Sequence, residues 1–132
     1  MNEFLDRYSK AIVYKPMFGG YGCFINKRMF GLIVDGEFHI RSSDKNMKNY
    51  HSLGWEQHTY TKKGGHIART RYFRVPDADM QKTEKLSALI NGALKLDNRE
   101  IGRYITNKKV RNLSDFVSSR KNAHIFKSPT AH

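Results

Sequence analysis

A glycine-rich stretch near the N-terminus has residue types that can cradle a phosphate group. It consists of Met17, Phe18, Gly19, Gly20, Tyr21 and Gly22. A P-loop would end in Gly-Lys-Ser/Thr, and a dinucleotide-binding loop would follow a strand and open a helix, whereas here a strand pattern follows the glycines. The sequence therefore favours a structural role, in which Gly19 and Gly20 adopt unusual backbone angles and Gly22 permits a bulge or close packing beside large rings.

Cysteine, histidine and carboxylate side chains are the other groups that can do chemistry. Cys23 is the only cysteine, so neither an internal disulfide nor a cysteine-based zinc site can form within one chain. A nucleophilic cysteine needs a histidine beside it, but alternation with Tyr21 and Ile25 in an apolar strand favours a small buried residue. The histidines lack metal-ligand spacing, and we expect each on the surface or half buried; they are His39, His51, His58, His66, His124 and His132. We therefore predict no catalytic residue, no metal and no cofactor.

Basic residues carry the strongest signal. The 132 residues include 24 lysines and arginines against 12 acids, a net charge of +12, and the isoelectric point is near 10.0. This balance indicates an acidic partner such as nucleic acid, an acidic protein surface or a membrane surface, and a well-solvated basic surface is the alternative. Candidate nucleic-acid or partner contacts fall in two clusters: Lys62, Lys63, Arg69 and Arg71, and then Lys108, Lys109, Arg111, Arg120 and Lys121.

Short runs of aromatic and branched residues predict the strands that position these side chains. The first three runs form an antiparallel meander and cover residues 21–26, 28–35 and 37–43. Asn26-Lys27 and Asp35-Gly36 separate them, and Asp-Gly between such runs is a strong signal for a type I′ hairpin turn. The middle run is apolar on both faces, which predicts a central strand.

A second hairpin follows around the Lys63-Gly64-Gly65 turn. Alternation in its second strand places Arg69 and Arg71 on one face and Arg74 on the other. We therefore expect five strands in total.

Apolar residues at helical spacing predict helices over residues 2–13, 43–54 and 78–95. Pro16 should end the first region, Ser43 or Asp44 should cap the second, and Gly54 should end it in left-handed geometry. Asp77 is the expected N-cap of the third helix. A further short helical segment is predicted from Asp97 and Glu100, followed by an apolar stripe at Ile101, Tyr104 and Ile105.

The last residues are polar and basic and show no sustained apolar period. We therefore divide the chain into a domain at 1–106 and a basic, partly ordered tail at 107–132. The longest apolar stretch, at 29–34, is too short to span a bilayer, and the N-terminus lacks the apolar core of a signal peptide. We expect a cytoplasmic protein.

The order of several segments resembles the N-terminal domain of the TfoX/Sxy competence regulators. The match covers about residues 15–95 and rests on MFGGYG at 17–22, MFGLIVDGEFHIR at 29–41, GWEQHTYTKKG at 54–64 and RYFRVPDA at 71–78. The resemblance implies a two-layer α+β fold similar to secretion chaperones, with a five-stranded antiparallel sheet in the order α-β-β-β-α-β-β-α. It also implies a non-enzymatic role in bacterial transcription, promoting expression of DNA-uptake genes together with the cyclic-AMP receptor protein.

The resemblance also implies a second, helical domain that opens on a DLPN-like motif. This chain offers VRNLSDF at 110–116 instead, as a single-domain member, a fragment or a diverged paralogue would. Three functions stay open from the sequence. The first is a transcription co-regulator acting through protein contact, the second is a direct nucleic-acid binder, and the third is a small enzyme or chaperone-like peptide binder on the same fold.

Overall fold

A computed structural model of the chain describes residues 11–94 and 107–130 as one antiparallel sheet with helices packed on it. The elements are β1 (Val13–Met17), β2 (Gly20–Ile25), β3 (Arg28–Val34), β4 (Glu37–Arg41), α1 (Asp44–Ser52), β5 (Gln57–Thr61), β6 (Ile67–Arg74), α2 (Asp77–Met80), α3 (Thr83–Leu94) and α4 (Asn107–Thr130). Across the sheet the strand order is β1-β2-β3-β4-β6-β5. The α+β class is therefore confirmed, whereas the likeness to secretion chaperones stays a prediction.

The sheet has six strands, so the expected number of five is wrong. The additional strand is β1, which pairs in antiparallel register with β2 from Val13 opposite Phe24 to Met17 opposite Gly20. The sequence placed the end of a helix at Val13, but β1 begins there. Pro16 is compatible with a strand because β1 lies at the edge of the sheet, where a missing N–H is tolerated. Residues 1–10, the rest of that predicted helix, lie outside the described residues.

Two-residue turns join the first four strands. The two predicted turns are confirmed: φ is positive at Asn26 (52°) and Lys27 (68°), and again at Asp35 (55°) and Gly36 (75°). Positive φ at both central positions is the requirement of a type I′ turn. A third turn of this kind, which the sequence did not predict, joins β1 to β2 through Phe18 (52°) and Gly19 (76°).

One face of the sheet, called here the helix face, forms the core with α3 and α4. The strands contribute Phe30, Phe38, Ile40 and Phe73, and α3 contributes Leu86, Ile90 and Leu94, all between 0 and 1% exposed. Leu32 and His39, which face each other in the register between β3 and β4, lie on the opposite face and are also buried. The middle strand is therefore covered on both sides, as its continuous apolar run predicts.

The helix α4 lies in the region that the sequence suggested was a tail. Val110, Leu113 and Val117 are buried in the same core cluster as the strands, with Phe116 partly buried beside it. These three residues have the i, i+3, i+7 spacing of a helix face. Because this spacing lasts for only two turns in an otherwise polar segment, the sequence shows no sustained apolar period there. No helix in the described ranges is long and apolar enough to cross a membrane. The domain boundary at residue 106 stays a prediction.

The helix ends follow the sequence in part. Ser43 caps α1, where it exchanges side-chain and backbone hydrogen bonds with Asn46, and Gly54 adopts φ +79° just beyond its end. The third predicted helix is divided into α2 and α3, with residues 81–82 between them, and Asp77 is the first residue of α2 rather than its N-cap. The predicted segment from Asp97 to Ile105 lies outside the described residues.

Candidate nucleic-acid or partner interface

The first basic cluster lies on the hairpin of β5 and β6. Lys62 and Lys63 are exposed in its turn, and Arg69 and Arg71 are exposed on β6. Arg71 donates a hydrogen bond to the Asp44 carboxylate at 2.7 Å, so it also joins β6 to the start of α1. Because both side chains of this ion pair are at least half exposed, it adds only about 0–1 kcal/mol to stability.

Arg74 lies on the other face of β6, as the strand alternation predicts. Its guanidinium is 3.5 Å from a carboxylate oxygen of Glu37 on β4 and 3.5 Å from one of Glu56, which precedes β5. Phe73, its neighbour in β6, is fully buried on the helix face. These contacts hold three adjacent segments of the sheet together, so Arg74 is engaged within the protein.

The second basic cluster lies on α4. Lys108 and Arg111 are exposed, and Lys109 is half buried. The Arg120 guanidinium lies 5.2 Å from the ring centre of Tyr21 and 5.0 Å from that of Phe116, which is cation–π geometry. Arg120 thus helps to hold α4 against β2 in addition to presenting charge. The Lys121 side chain lies outside the described part of the structure.

The aromatic rings under α4 show where the helix sits on the sheet. Phe116 stacks on Tyr14 of β1 at 4.2 Å and meets Tyr21 of β2 edge-on at 5.9 Å. Burial raises the pKa of the Tyr14 hydroxyl to about 12, and the nearby Cys23 adds to this shift. In the strand order, β3 and β4 lie between β2, which α4 contacts, and β6, which carries the hairpin cations.

The glycine-rich stretch is part of the β1–β2 hairpin, and its backbone angles differ in part from those predicted. Gly19 has positive φ, but Gly20 does not, and Phe18 takes the second unusual angle instead. A Cβ on Gly20 would collide with the backbone carbonyl of Ile33. A Cβ on Gly22 would lie 2.8 Å from the sulfur of Met17 and 3.0 Å from the Phe24 ring, so close packing at this position is confirmed.

Cys23 is fully buried in the strand β2, as predicted. Burial raises the pKa of its thiol to about 12, so the thiolate is a minor species at neutral pH. In residues 11–94 and 107–130, no group of three or more His, Cys, Asp or Glu side chains could hold a metal ion.

A polar cleft of about 750 Å³ opens where β4 meets the start of α1 and the end of α3. Its lining includes the cations Arg41, Lys45 and Arg71 and a single carboxylate, Asp44, which is already paired with Arg71. Among the described residues, the lining contains neither histidine nor cysteine. The hydroxyl of Ser42 in this lining donates a hydrogen bond to the Arg71 carbonyl at 2.8 Å.

The sequence missed a cluster of rings on the face opposite the helices. The ring of Phe18 lies 5.3 Å from that of Tyr60 and 6.1 Å from that of His58, and His58 lies 5.4 Å from His39. His39 is only 7% exposed, so its expected place at or near the surface is wrong. Burial lowers the pKa of both histidines; at His39 the hydrogen bond from Nδ1 to the Glu37 carbonyl opposes that effect.

This cluster was hard to find because Phe18 and Tyr60 belong to opposite ends of the strand order. The alternation of His58 and Tyr60 in β5 is the only local signal that both rings share a face. No local signal indicates that the β1–β2 turn reaches them.

Two comparisons with known proteins agree with the resemblance noted in the sequence. Residues 3–96 match the family model for the TfoX N-terminal domain. The DNA transformation protein TfoX1 of Aliivibrio fischeri is 30% identical over 111 residues, which cover 83% of this chain and 51% of that protein. The chain thus spans about half the length of this curated relative. Because the family model covers most of the chain and includes all six strands, the chain belongs to the TfoX N-terminal domain family.

Proposed function

We propose that the protein is a non-enzymatic regulator of bacterial transcription that acts by protein contact. The observation that carries this proposal is membership of a family in which a 30% identical relative is named a DNA transformation protein. The suggested partner is the cyclic-AMP receptor protein, and the suggested targets are genes for DNA uptake.

The α4 cations are the surface that we assign to the partner. Lys108 and Arg111 are exposed on a helix that packs on the sheet through the contacts of Phe116 with Tyr14 and of Arg120 with Tyr21. Exposed cations on a packed helix suit an acidic protein surface, because complementary charge accelerates encounter and sets orientation.

Two measurements test this proposal. Overproduction of the chain should raise transcripts of DNA-uptake genes in a host that contains the cyclic-AMP receptor protein and should leave them unchanged in a host that lacks it. The receptor protein should also co-purify with the chain after nuclease treatment. Arg111→Glu should weaken both effects, whereas Lys82→Glu, at an exposed lysine between α2 and α3, should not. Unchanged transcripts in both hosts would refute the proposal.

Direct nucleic-acid binding is the second candidate, and the exposed lysines of the β5–β6 turn favour it. Each phosphate contact releases counterions, so binding should weaken steeply as salt rises. A steep salt dependence of DNA binding, together with failure to co-purify the receptor protein, would favour this candidate over the first.

A further inference from the structure

The β1–β2 turn contains a residue that its backbone geometry disfavours. Phe18 has φ 52°, in the left-handed region that side-chain-bearing residues rarely adopt and that Asn, Asp and Gly tolerate best. The other two turns of this type place Asn26 and Asp35 at the same position. At the first position of the turn, the β1–β2 hairpin therefore has a phenylalanine, whereas the next two hairpins have asparagine and aspartate, which this geometry prefers. Strain of this kind is often found at binding sites.

The Phe18 ring is held in place yet faces solvent. It is 53% exposed, and Tyr60, whose ring lies 5.3 Å away at an angle of 38°, is 37% exposed. The ring of His58 lies next to this pair, with its centre 6.1 Å from that of the Phe18 ring. Phe18, His58 and Tyr60 are called here the aromatic platform.

Positive charge lies beside the platform. His58 and Tyr60 lie on one face of β5, because side chains alternate along a strand. Lys62 follows directly after β5, where its backbone N–H donates to the His66 carbonyl at 2.7 Å, and Lys63 comes next in the turn. Both lysines are exposed. Burial lowers the pKa of His58, and the nearby carboxylate of Asp35 opposes this effect. The cations thus lie at the Tyr60 end of the platform.

We propose that the aromatic platform and the two lysines bind single-stranded nucleic acid. Unpaired bases stack on the exposed rings of Phe18 and Tyr60, while Lys62 and Lys63 contact the phosphates. Flat rings beside cations are the combination that sequence-tolerant single-strand binders use. A duplex conceals the faces of its bases, so the rings select single strands, whereas the lysines alone would bind both forms. The inference does not depend on contact with a transcription factor.

The key variant is Phe18→Asn in the full chain. Asparagine suits the turn, so the melting temperature should stay the same or rise while binding weakens. Binding is measured by fluorescence anisotropy with a labelled oligothymidylate and with a duplex of equal length. Loss of one stacked base should raise the Kd for the oligothymidylate about tenfold or more. Leu53→Asn, at another exposed apolar residue (60% exposed), should leave that Kd unchanged.

The lysines are tested separately through the salt dependence. Replacing both Lys62 and Lys63 by alanine removes two phosphate contacts. The slope of log K against log salt should therefore flatten by about 1.4 for a single strand.

Three results would overturn the proposal. One is no saturable oligothymidylate binding by the parent chain at low salt, as expected if the platform instead takes a protein segment. Another is equal affinity for the duplex and the single strand. The third is an unchanged Kd in a folded Phe18→Asn variant. If the Phe18→Asn variant unfolds, Phe18→Leu takes its place, because leucine keeps an apolar contact with Tyr60 but lacks the ring. Undiminished single-strand affinity in the Phe18→Leu variant would then overturn the proposal.

Discussion

Leu113 is the α4 side chain whose truncation best measures how much the fold depends on that helix. The side chain is 0% exposed within the core cluster. Replacing a buried leucine with alanine removes apolar contacts and leaves a cavity, which costs about 2–5 kcal/mol. An unfolding entropy of about 2.1 cal/mol/K per residue over the whole chain converts this loss to a fall in melting temperature of roughly 7–18 °C.

The assay is thermal unfolding followed by circular dichroism, with Asn112→Ala as the matched control. Asn112 is the preceding residue of the same helix and is exposed, so its replacement should shift the midpoint by less than about 2 °C. The sequence alone predicted that residues 107–132 form a basic, partly ordered tail, and the burial of Leu113 indicates that part of this segment contributes to the core. A Leu113→Ala variant that melts within 2 °C of the parent would show that α4 is a separable arm and would refute the packing argument.

The other predictions concern Gly20, Cys23 and His39. Gly20→Ala should destabilise the protein by about 1–3 kcal/mol in urea unfolding, because the new methyl group meets the fixed backbone carbonyl of Ile33; an unchanged midpoint would contradict the close approach. Cys23 should react with a thiol reagent only at the rate of unfolding, since it is buried and its thiol pKa is raised to about 12; rapid labelling of the native protein would count against this. Burial lowers the pKa of His39 below its ordinary value of 6.5, so the unfolded chain binds a proton at this residue more readily than the native protein does. The contribution of neutral His39 to the free energy of unfolding should therefore be full above pH 6.5 and should decline as the pH falls below that value. Melting temperatures measured between pH 7.5 and 5 should show this decline, and a His39→Gln variant with the same decline would assign it to another group.

The features that the sequence predicted correctly are those with short-range causes. Asn26-Lys27 and Asp35-Gly36 identify their turns because the backbone geometry at those positions selects the residue types locally. Ser43 likewise identifies the start of α1 through a bond to a residue three positions away. Such signals need no knowledge of the rest of the chain.

The features that were missed depend on partners distant in sequence. Val13 to Met17 form a strand only because β2 is beside them, and α4 forms a packed helix because Leu113 meets the sheet. In the candidate interface, the exposure of Lys62 and Arg69 could be predicted from the sequence. The contact between Phe18 and Tyr60 could not, because it joins opposite ends of the strand order.

The stack of Phe116 on Tyr14 also has a consequence for the order of events during synthesis. β1 is an edge strand whose ring is covered by a helix that begins more than ninety residues later. Before α4 leaves the ribosome, Phe116 is absent and cannot cover Tyr14 and Tyr21. The hairpin of β1 and β2 should therefore be exposed to chaperones and to unwanted pairing until α4 has been synthesised. Closure of α4 over this hairpin is then the step that buries these rings.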